Sequence, residues 1–409
     1  MHPSVFSVAR PILILILLGS QAYLLLRVLS YLKAKQSARI LRLVVWIPFV
    51  VFNLPIFYLT FFRPPKFLFT DLFTWVAVYP FYIWQFSGLM ILLLVLIAKF
   101  IKLPFIGAGA VMKKIPFAGK KIASFQNDGR FEKFDQSRRA FLRTTFWGAS
   151  AYVVVGTSYG VFCRNQFELV QKQLQLKNLP AALNGLTIGL ISDIHSGPYM
   201  SKEEIDEYVK ALNSLQPDIV FVPGDFVTML QKEIYPVIES LSELKARYGV
   251  YGCLGNHEFY SRAPDDITKR LEDAGVKMLR NENVTVNVKG HKLALIGIDD
   301  LGHGDNFPAA RQTVPLDALK ILMTHKPYFF PRAAEAGMDL VLAGHTHGGQ
   351  VVFVKVGDFA LAPATIVSKY VAGLYEIGDS LMYVSRGVGT IGVPFRINCP
   401  PEVTLFTLT

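Results

Sequence analysis

Two hydrophobic regimes divide the chain. Over residues 11–32, 43–62, 72–98 and 144–162 apolar side chains run almost unbroken, with Arg27 the one charge in any of the four stretches. A helix needs roughly 20 such residues to cross a hydrocarbon core about 30 Å thick, so each stretch predicts a membrane span. From residue 164 the pattern shortens. Alternation over 167–180, ending in NLP, predicts a strand and a turn, and the apolar run 188–191 predicts a buried strand. Ile205, Tyr208, Val209 and Leu212 recur at helical spacing within 202–215. A strand over 218–222 closes in Pro223, Gly224 and Asp225. A helix over 234–248 and a strand over 250–254 follow, the latter ending in Gly255, Asn256, His257 and Glu258.

A βαβαβ run of this kind predicts a mostly parallel sheet with its site at the carboxyl ends of the strands. Later strands at 292–298, 319–323, 340–342, 350–354 and 381–384 have few helices between them, which predicts a second sheet packed on the first. The expected fold is therefore an all-α membrane region over 1–163 and an α/β domain over 164–409, a two-layer mixed β-sandwich flanked by helices.

Charge follows the same division. Residues 1–163 hold 19 Lys and Arg against 4 Asp and Glu, and residues 164–409 hold 23 against 27. The overall charge of +11 thus belongs to the apolar half. Positive charge lying between apolar stretches is not a folded basic surface, so no nucleic-acid partner is expected. Three scattered cysteines, Cys163, Cys253 and Cys399, make neither a disulfide framework nor a zinc ribbon.

The basic residues also set an orientation. Lys33, Lys35, Arg39 and Arg42 follow the first span, and a long basic series over 99–143 precedes the fourth, whereas the loop between carries only Arg63 and Lys66 against Asp71. The positive-inside rule then places both basic loops in the cytoplasm and sends the fourth span outward. The C-terminal domain is expected to be extracytoplasmic, on a bacterial inner or cytoplasmic membrane. SRRAFLR at 137–143 stands directly before the fourth span and resembles a twin-arginine export signal, here in mid-chain, which would make the twin-arginine translocase a partner. The same arginines also serve as ordinary positive-inside anchors, with the same topology. No span places Asp, Glu, Lys or His near its middle, which argues against a transport pathway and for anchoring, with membrane lipids as neighbours.

Polar residues fall where the apolar strands end: Asp193 and His195, Asp225, Asn256 and His257, His325, then His345 and His347. Five of the seven histidines beyond residue 100 are in this set. Glycines immediately before Asp225, Asn256 and His345 predict sharp backbone turns that gather the side chains. Convergence of imidazole and carboxylate predicts a site for transition-metal ions.

These residues resemble the calcineurin-like metallophosphoesterases: D-x-H at 193–195, GD at 224–225, GNHE at 255–258, His325, and GHTHGGQ at 344–350. The match runs over 167–409. It is most similar to the bacterial membrane-associated branch and to transmembrane proteins with a metallophosphoesterase domain, sharing NLP and the closing run SRGVGTIGVPFRINCPPEVTLFTL. The resemblance implies two divalent ions (Mn, Fe or Zn), one held by Asp193, His195, Asp225 and His347, the other by Asp225, Asn256, His325 and His345. Two cations about 3.5–4 Å apart bind a phosphoryl group, acidify a water and stabilise an in-line displacement. His257 is then the expected acid for the leaving alkoxide, with Glu258 orienting it or its surroundings. Thr228 departs from the acidic residue that many relatives carry there. For His303, Arg386 and Arg396 two expectations stand side by side: contact with a phosphate or headgroup, or a solvated loop histidine and surface arginines.

The function expected is hydrolysis of a phosphoester or phosphodiester of a lipid or cell-envelope substrate. Two alternatives are a UDP-2,3-diacylglucosamine pyrophosphatase, which needs access to a cytoplasmic substrate, and a catalytically silent binding module.

Overall fold

A computed structural model describes residues 3–56, 71–114, 117, 124, 129–300, 306–356 and 359–409. The chain divides into two compact units, Met1–Val161 and Phe162–Thr409.

In the first unit three segments are long and apolar enough to cross a membrane: Pro11–Ala34, Arg39–Ile56 and Thr74–Pro104. They take in the first three expected spans, although the part of the second beyond residue 56 lies outside the described residues. The fourth expected span, 144–162, is helical as the C-terminal part of the continuous helix Gly129–Phe162, but is not among the three. Gly148, Ser150, Gly156, Thr157 and Ser158 dilute its apolar residues. Thr157 and Ser158 donate their hydroxyls to the carbonyls of Val153 and Val154, both at 2.8 Å, so these polar groups are satisfied inside the helix.

Three buried amides link the apolar segments. Gln85 Nε2 donates to Asn53 Oδ1 at 3.1 Å and to Phe52 O at 2.9 Å, and Gln85 Oε1 accepts from Gln21 at 3.4 Å. A search for ionisable residues passes over these uncharged groups, yet in hydrocarbon an amide also needs a partner.

The second unit is a sandwich of two six-stranded sheets. Across the first, the order is Glu168–Leu174, Glu402–Leu408, Thr187–Leu190, Ile219–Pro223, Val250–Cys253 and Val276–Met278. Across the second it is Gly373–Ile377, Ser380–Val384, Leu340–Ala343, Leu319–Thr324, His291–Ile298 and Glu282–Val288. Alternate strand residues face each other between the sheets: Leu190, Ile219, Phe221 and Phe406 from the first, Leu295, Ile321, Met323 and Leu342 from the second, all buried. The opposite face of the first sheet, with Val220 and Val222, is covered by Tyr208, Leu212, Val237 and Leu271 of flanking helices. Phe307, Phe330 and Ala333 cover the outer face of the second. Burial on both faces is why these strands read as unbroken apolar runs.

Two expectations shift in register. The run at 350–354 begins with Gln350 at φ 52°, so only Val354–Val356 forms a strand. The helix expected over 234–248 ends at Leu241. The segment Glu402–Leu408, to which the alternation pattern alone assigned no role, is a buried central strand, parallel to Glu168–Leu174 and antiparallel to Thr187–Leu190. It inserts the end of the chain beside the strand that delivers Asp193.

Candidate metal centre

Five strands end at one place. Thr187–Leu190 leads to Asp193 and His195, Ile219–Pro223 to Asp225, Val250–Cys253 to Asn256 and His257, Leu319–Thr324 to His325, and Leu340–Ala343 to His345 and His347. Asp193, His195, Asp225, His345 and His347 all take left-handed backbone, with φ of 54°, 49°, 57°, 74° and 51°. Such conformations are unfavourable without a glycine and persist only where surrounding bonds impose them. Here His195 N donates to Asp225 O at 2.9 Å, His345 N to Asp193 Oδ1 at 2.8 Å, and Gly389 N to Asp193 O at 2.8 Å.

The expected role of the three preceding glycines holds only in part. Gly224 has φ 83°, but Gly255 has φ −94°, within reach of any residue. Gly255 and Gly344 are instead needed for close approach: a Cβ on Gly255 would strike Asp225, and one on Gly344 would strike Asp193 and Ser192.

The side chains fall into groups whose ligand atoms lie within 4.8 Å of one another: Asp193, His195 and His347; Asp225, His325 and His345; and His195, Asp225 and His257. Asp225 Oδ2 reaches both sides, at 3.3 Å from His195 Nε2 and 3.0 Å from His325 Nε2. His195 and His347 face each other through their Nε2 atoms at 3.0 Å. Asn256 Oδ1 is buried and finds no hydrogen-bond partner among the described residues. A carbonyl oxygen in that state is costly unless something accepts its lone pairs. This orphan, with the four imidazoles of His195, His325, His345 and His347 and the two carboxylates of Asp193 and Asp225, fits divalent transition-metal ions, for which mixed N and O donors are suited.

The electrostatics agree with that donor set. Burial, with lesser help from neighbouring cations, lowers His195 and His345 to about 3 and His347 well below its ordinary value, leaving these imidazoles neutral as metal ligands must be. Burial also raises Asp193 to about 6, with Asp225 repelling its charge and His325 opposing the rise. Asp225 remains well below the usual carboxylate range, because His325 and His195 outweigh its burial. Burial by itself would lower His325, yet Asp225 and Asp193 hold it at about 10, so this imidazole, unlike the other three, carries a proton that a metal ion must displace before it can serve as a ligand. Two buried carboxylates call for positive charge between them.

Around this cluster lies a second layer. Buried Glu258 accepts four backbone N–H groups, from Asp225 (3.0 Å), Gly255 (2.8 Å), Phe226 (2.8 Å) and Val227 (3.2 Å), and burial with the charge of Asp225 pushes it up to about 7. His257 directs Nδ1 at the carbonyl of Thr228, which leaves Nε2 for the site. Thr228, where an acid was expected by resemblance, donates Oγ1 to His195 O at 2.9 Å, and Glu233 accepts the N–H groups of Thr228, Met229 and Leu230.

The two arginines expected as substrate contacts or surface groups are buried rather than on the surface, and both are bonded within the protein. Arg386 is paired with Glu402 at 2.6 Å and Glu168 at 2.7 Å. Arg396 is buried and donates to the carbonyls of Gly389 (2.6 Å), Arg386 (2.8 Å), Gly387 (3.2 Å) and Cys399 (3.2 Å), with Nη2 3.5 Å from His347 Nδ1. Arg396 thus ties down the loop at 386–389, and the Arg386 Nε and Nη2 donors are taken up by Glu402 and Glu168. No local sequence signal separates such a buried arginine from a phosphate-binding one. His303 lies outside the described residues.

Residues 186–349 match the family described as calcineurin-like phosphoesterase. The chain is 34% identical over 227 residues to an uncharacterized metallophosphoesterase of Aquifex aeolicus, covering 53% of this chain and 82% of that protein. It is 32% identical over 253 residues to the transmembrane protein with metallophosphoesterase domain of Bos taurus, covering 58% and 56% respectively. Against the phosphodiesterase YaeI of Escherichia coli it is 29% identical over 276 residues, 66% of this chain and 99% of that one. The chain spans little more than half the length of the Bos taurus and Danio rerio relatives. A β-sandwich with a His, Asp and Asn cluster at its strand ends defines a metal-binding class of α/β domain. Within that class, the chain belongs to the calcineurin-like metallophosphoesterases.

Proposed function

We propose that this chain is a membrane-anchored phosphoesterase that uses two divalent transition-metal ions to hydrolyse a phosphoester or phosphodiester of a lipid or cell-envelope substrate. The observation that carries the reading is Asp225 Oδ2, which stands within 3.3 Å of histidines from both ligand groups and so can serve two cations at once. Asp193, His195, Asp225 and His347 would hold one ion, and Asp225, Asn256, His325 and His345 the other. When bound, the pair supplies Lewis acidity for the phosphoryl oxygens and an activated water. The chain's own residues do the rest. Glu258 fixes the Asp225 turn, and the Thr228 carbonyl orients His257 so that Nε2 can deliver a proton to the leaving oxygen. The name of the Escherichia coli relative, a phosphodiesterase matched over 99% of its length, favours a diester.

The test uses the full chain in detergent. It should bind two transition-metal equivalents and cleave a chromogenic phosphodiester; Asp225→Asn should lose both equivalents. Full turnover after exhaustive chelation would overturn the reading.

For location, we propose that residues 144–162 also cross the membrane, so that the second unit is extracytoplasmic on a bacterial inner membrane. The internally bonded hydroxyls of Thr157 and Ser158 support a lipid-embedded helix, and the basic residues of 99–143 support a cytoplasmic start. The twin-arginine translocase is the partner that SRRAFLR suggests, and its export of folded domains suits a domain loaded with metal beforehand.

A further inference from the structure

Between the loop of His345 and His347 and the strand Gly373–Ile377 the backbone makes an excursion held by a hydrogen bond at each end, the second of them to the loop of His345 and His347. It leaves at Val352, whose N–H donates to Ile397 O at 2.9 Å, and returns at Val371, whose carbonyl accepts from Thr346 Oγ1 at 2.5 Å. It holds an antiparallel pair, Val354–Val356 with Phe359–Leu361, and a short helix, Pro363–Val367. One side of this segment packs on the turn of His347: a Cβ on Gly349 would meet the Cβ atoms of Ala362 and Ala364 at 2.9 and 3.3 Å.

Much of the described remainder of the excursion is exposed. Ile366 and Val367, consecutive and β-branched, are 82% and 85% exposed, and Phe353, Val354 and Leu361 are exposed with them. Single exposed apolar residues are ordinary, but five large ones within one short excursion mark a contact surface. Charge chooses the partner. The second unit is net negative, whereas the sequence 351–371 carries two lysines, Lys355 and Lys369, both exposed, against the single acid Asp358. Apolar tips flanked by lysines suit a bilayer with anionic headgroups: the tips enter the acyl boundary and the lysine stems keep their ammonium groups at phosphate level. The apolar spans already tie the chain to a membrane, so effective concentration is high and a few side chains suffice to hold the contact.

We infer that Phe353, Val354, Leu361, Ile366 and Val367 form a membrane-inserting lip that seats the rim of the metal centre on an anionic bilayer surface. The inference rests on exposure, charge and the membrane spans, and it stands whether or not the centre hydrolyses a phosphoester.

The test uses the full chain carrying Cys163→Ser, since Cys253 and Cys399 are buried, with one new cysteine labelled by an environment-sensitive dye. Ile366→Cys and Val367→Cys report on the lip. Leu316→Cys, 96% exposed and preceding the strand whose far end delivers His325, is the control. After reconstitution into phosphatidylcholine vesicles with and without phosphatidylglycerol, both lip labels should show blue-shifted emission and several-fold stronger quenching by doxyl-labelled lipid than the control, more so with the anionic lipid. Water-like emission at both lip positions would overturn the inference. So would a blue shift without lipid quenching, which would mean that protein, such as a second copy of this chain, covers the lip.

Discussion

The carboxylate of Glu258 accepts the backbone N–H of Asp225 at 3.0 Å, while the carboxylate of Asp225 accepts the backbone N–H of His257 at 3.0 Å. The GD and GNHE turns thus hold each other by reciprocal side chain to backbone bonds. The residue that reaches both ligand groups is fixed by one that belongs to neither. Replacing Glu258 by Gln puts an NH2 where one oxygen accepts two N–H groups, so two bonds become donor against donor. Leaving buried donors unsatisfied costs about 1–3 kcal/mol each. Glu258→Gln should lower the thermal midpoint and the metal stoichiometry together, measured by calorimetry and elemental analysis; a stable, fully loaded variant would show that the turn holds without it.

His257→Ala should reduce turnover far more than metal content. General acid catalysis contributes about 10²–10⁴-fold. The loss should be large for an alkyl ester and small for a nitrophenyl ester, whose leaving group departs without a proton. Because His257 also stands within ligand reach of His195 and Asp225, loss of one metal equivalent would assign it to coordination instead.

Arg396→Lys should act on stability and on the loop at 386–389, not on substrate affinity. A lysine cannot reproduce the fan of donors to Gly389, Arg386, Gly387 and Cys399. The expected result is a lower thermal midpoint with KM unchanged in the surviving folded fraction. A raised KM at unchanged stability would return Arg396 to the substrate.

Asp206 accepts from Lys202 at 2.8 Å and from Ser240 at 2.6 Å, joining helices Lys202–Ser214 and Ile234–Leu241, and these bonds hold its carboxyl below 3.8. A depressed carboxyl contributes stability above its unfolded value, lost as pH falls through the lower folded one. Asp206→Asn should therefore be less stable than the parent at neutral pH, and the gap should narrow below about pH 4. Acid titrations of the two proteins followed by circular dichroism read this directly.

Replacing Arg138 and Arg139 together by Lys keeps the charge. Both arginines pair with Asp135, at 2.7 and 2.5 Å, on the exposed face of their helix, so neither is needed for packing. Export of the second unit, read by a reporter active on one side of the membrane, should fail if the twin-arginine route recognises the pair. Unchanged export would leave the positive-inside anchor as their role.

Much of the site was legible because its chemistry is tied to local signals. An apolar strand that stops at Asp193, Asp225, His325 or His345 announces a loop at the edge of a sheet, and the residue types name the ligand chemistry. Arg386 and Arg396 were not legible, because a guanidinium that binds phosphate and one that binds carbonyls have the same local sequence. Gly255 and Gly344 were read as sharp turns, whereas the constraint is the approach of Asp225 and Asp193 from distant segments.

Residue order by itself determined what is local: the apolar spans, the strands and helices set by their periods, and the glycines and polar residues at the strand ends. Tertiary structure alone decided what depends on neighbours far along the chain. Glu402–Leu408 became a central strand because it is buried beside Thr187–Leu190, and Glu258 became the clamp of Asp225 because the two turns meet. Ile366 and Val367 became a candidate membrane contact because none of the other described residues covers them. Periodicity records which face of an element is apolar, while the partner of that face is set by packing, and packing joins residues that sequence keeps apart.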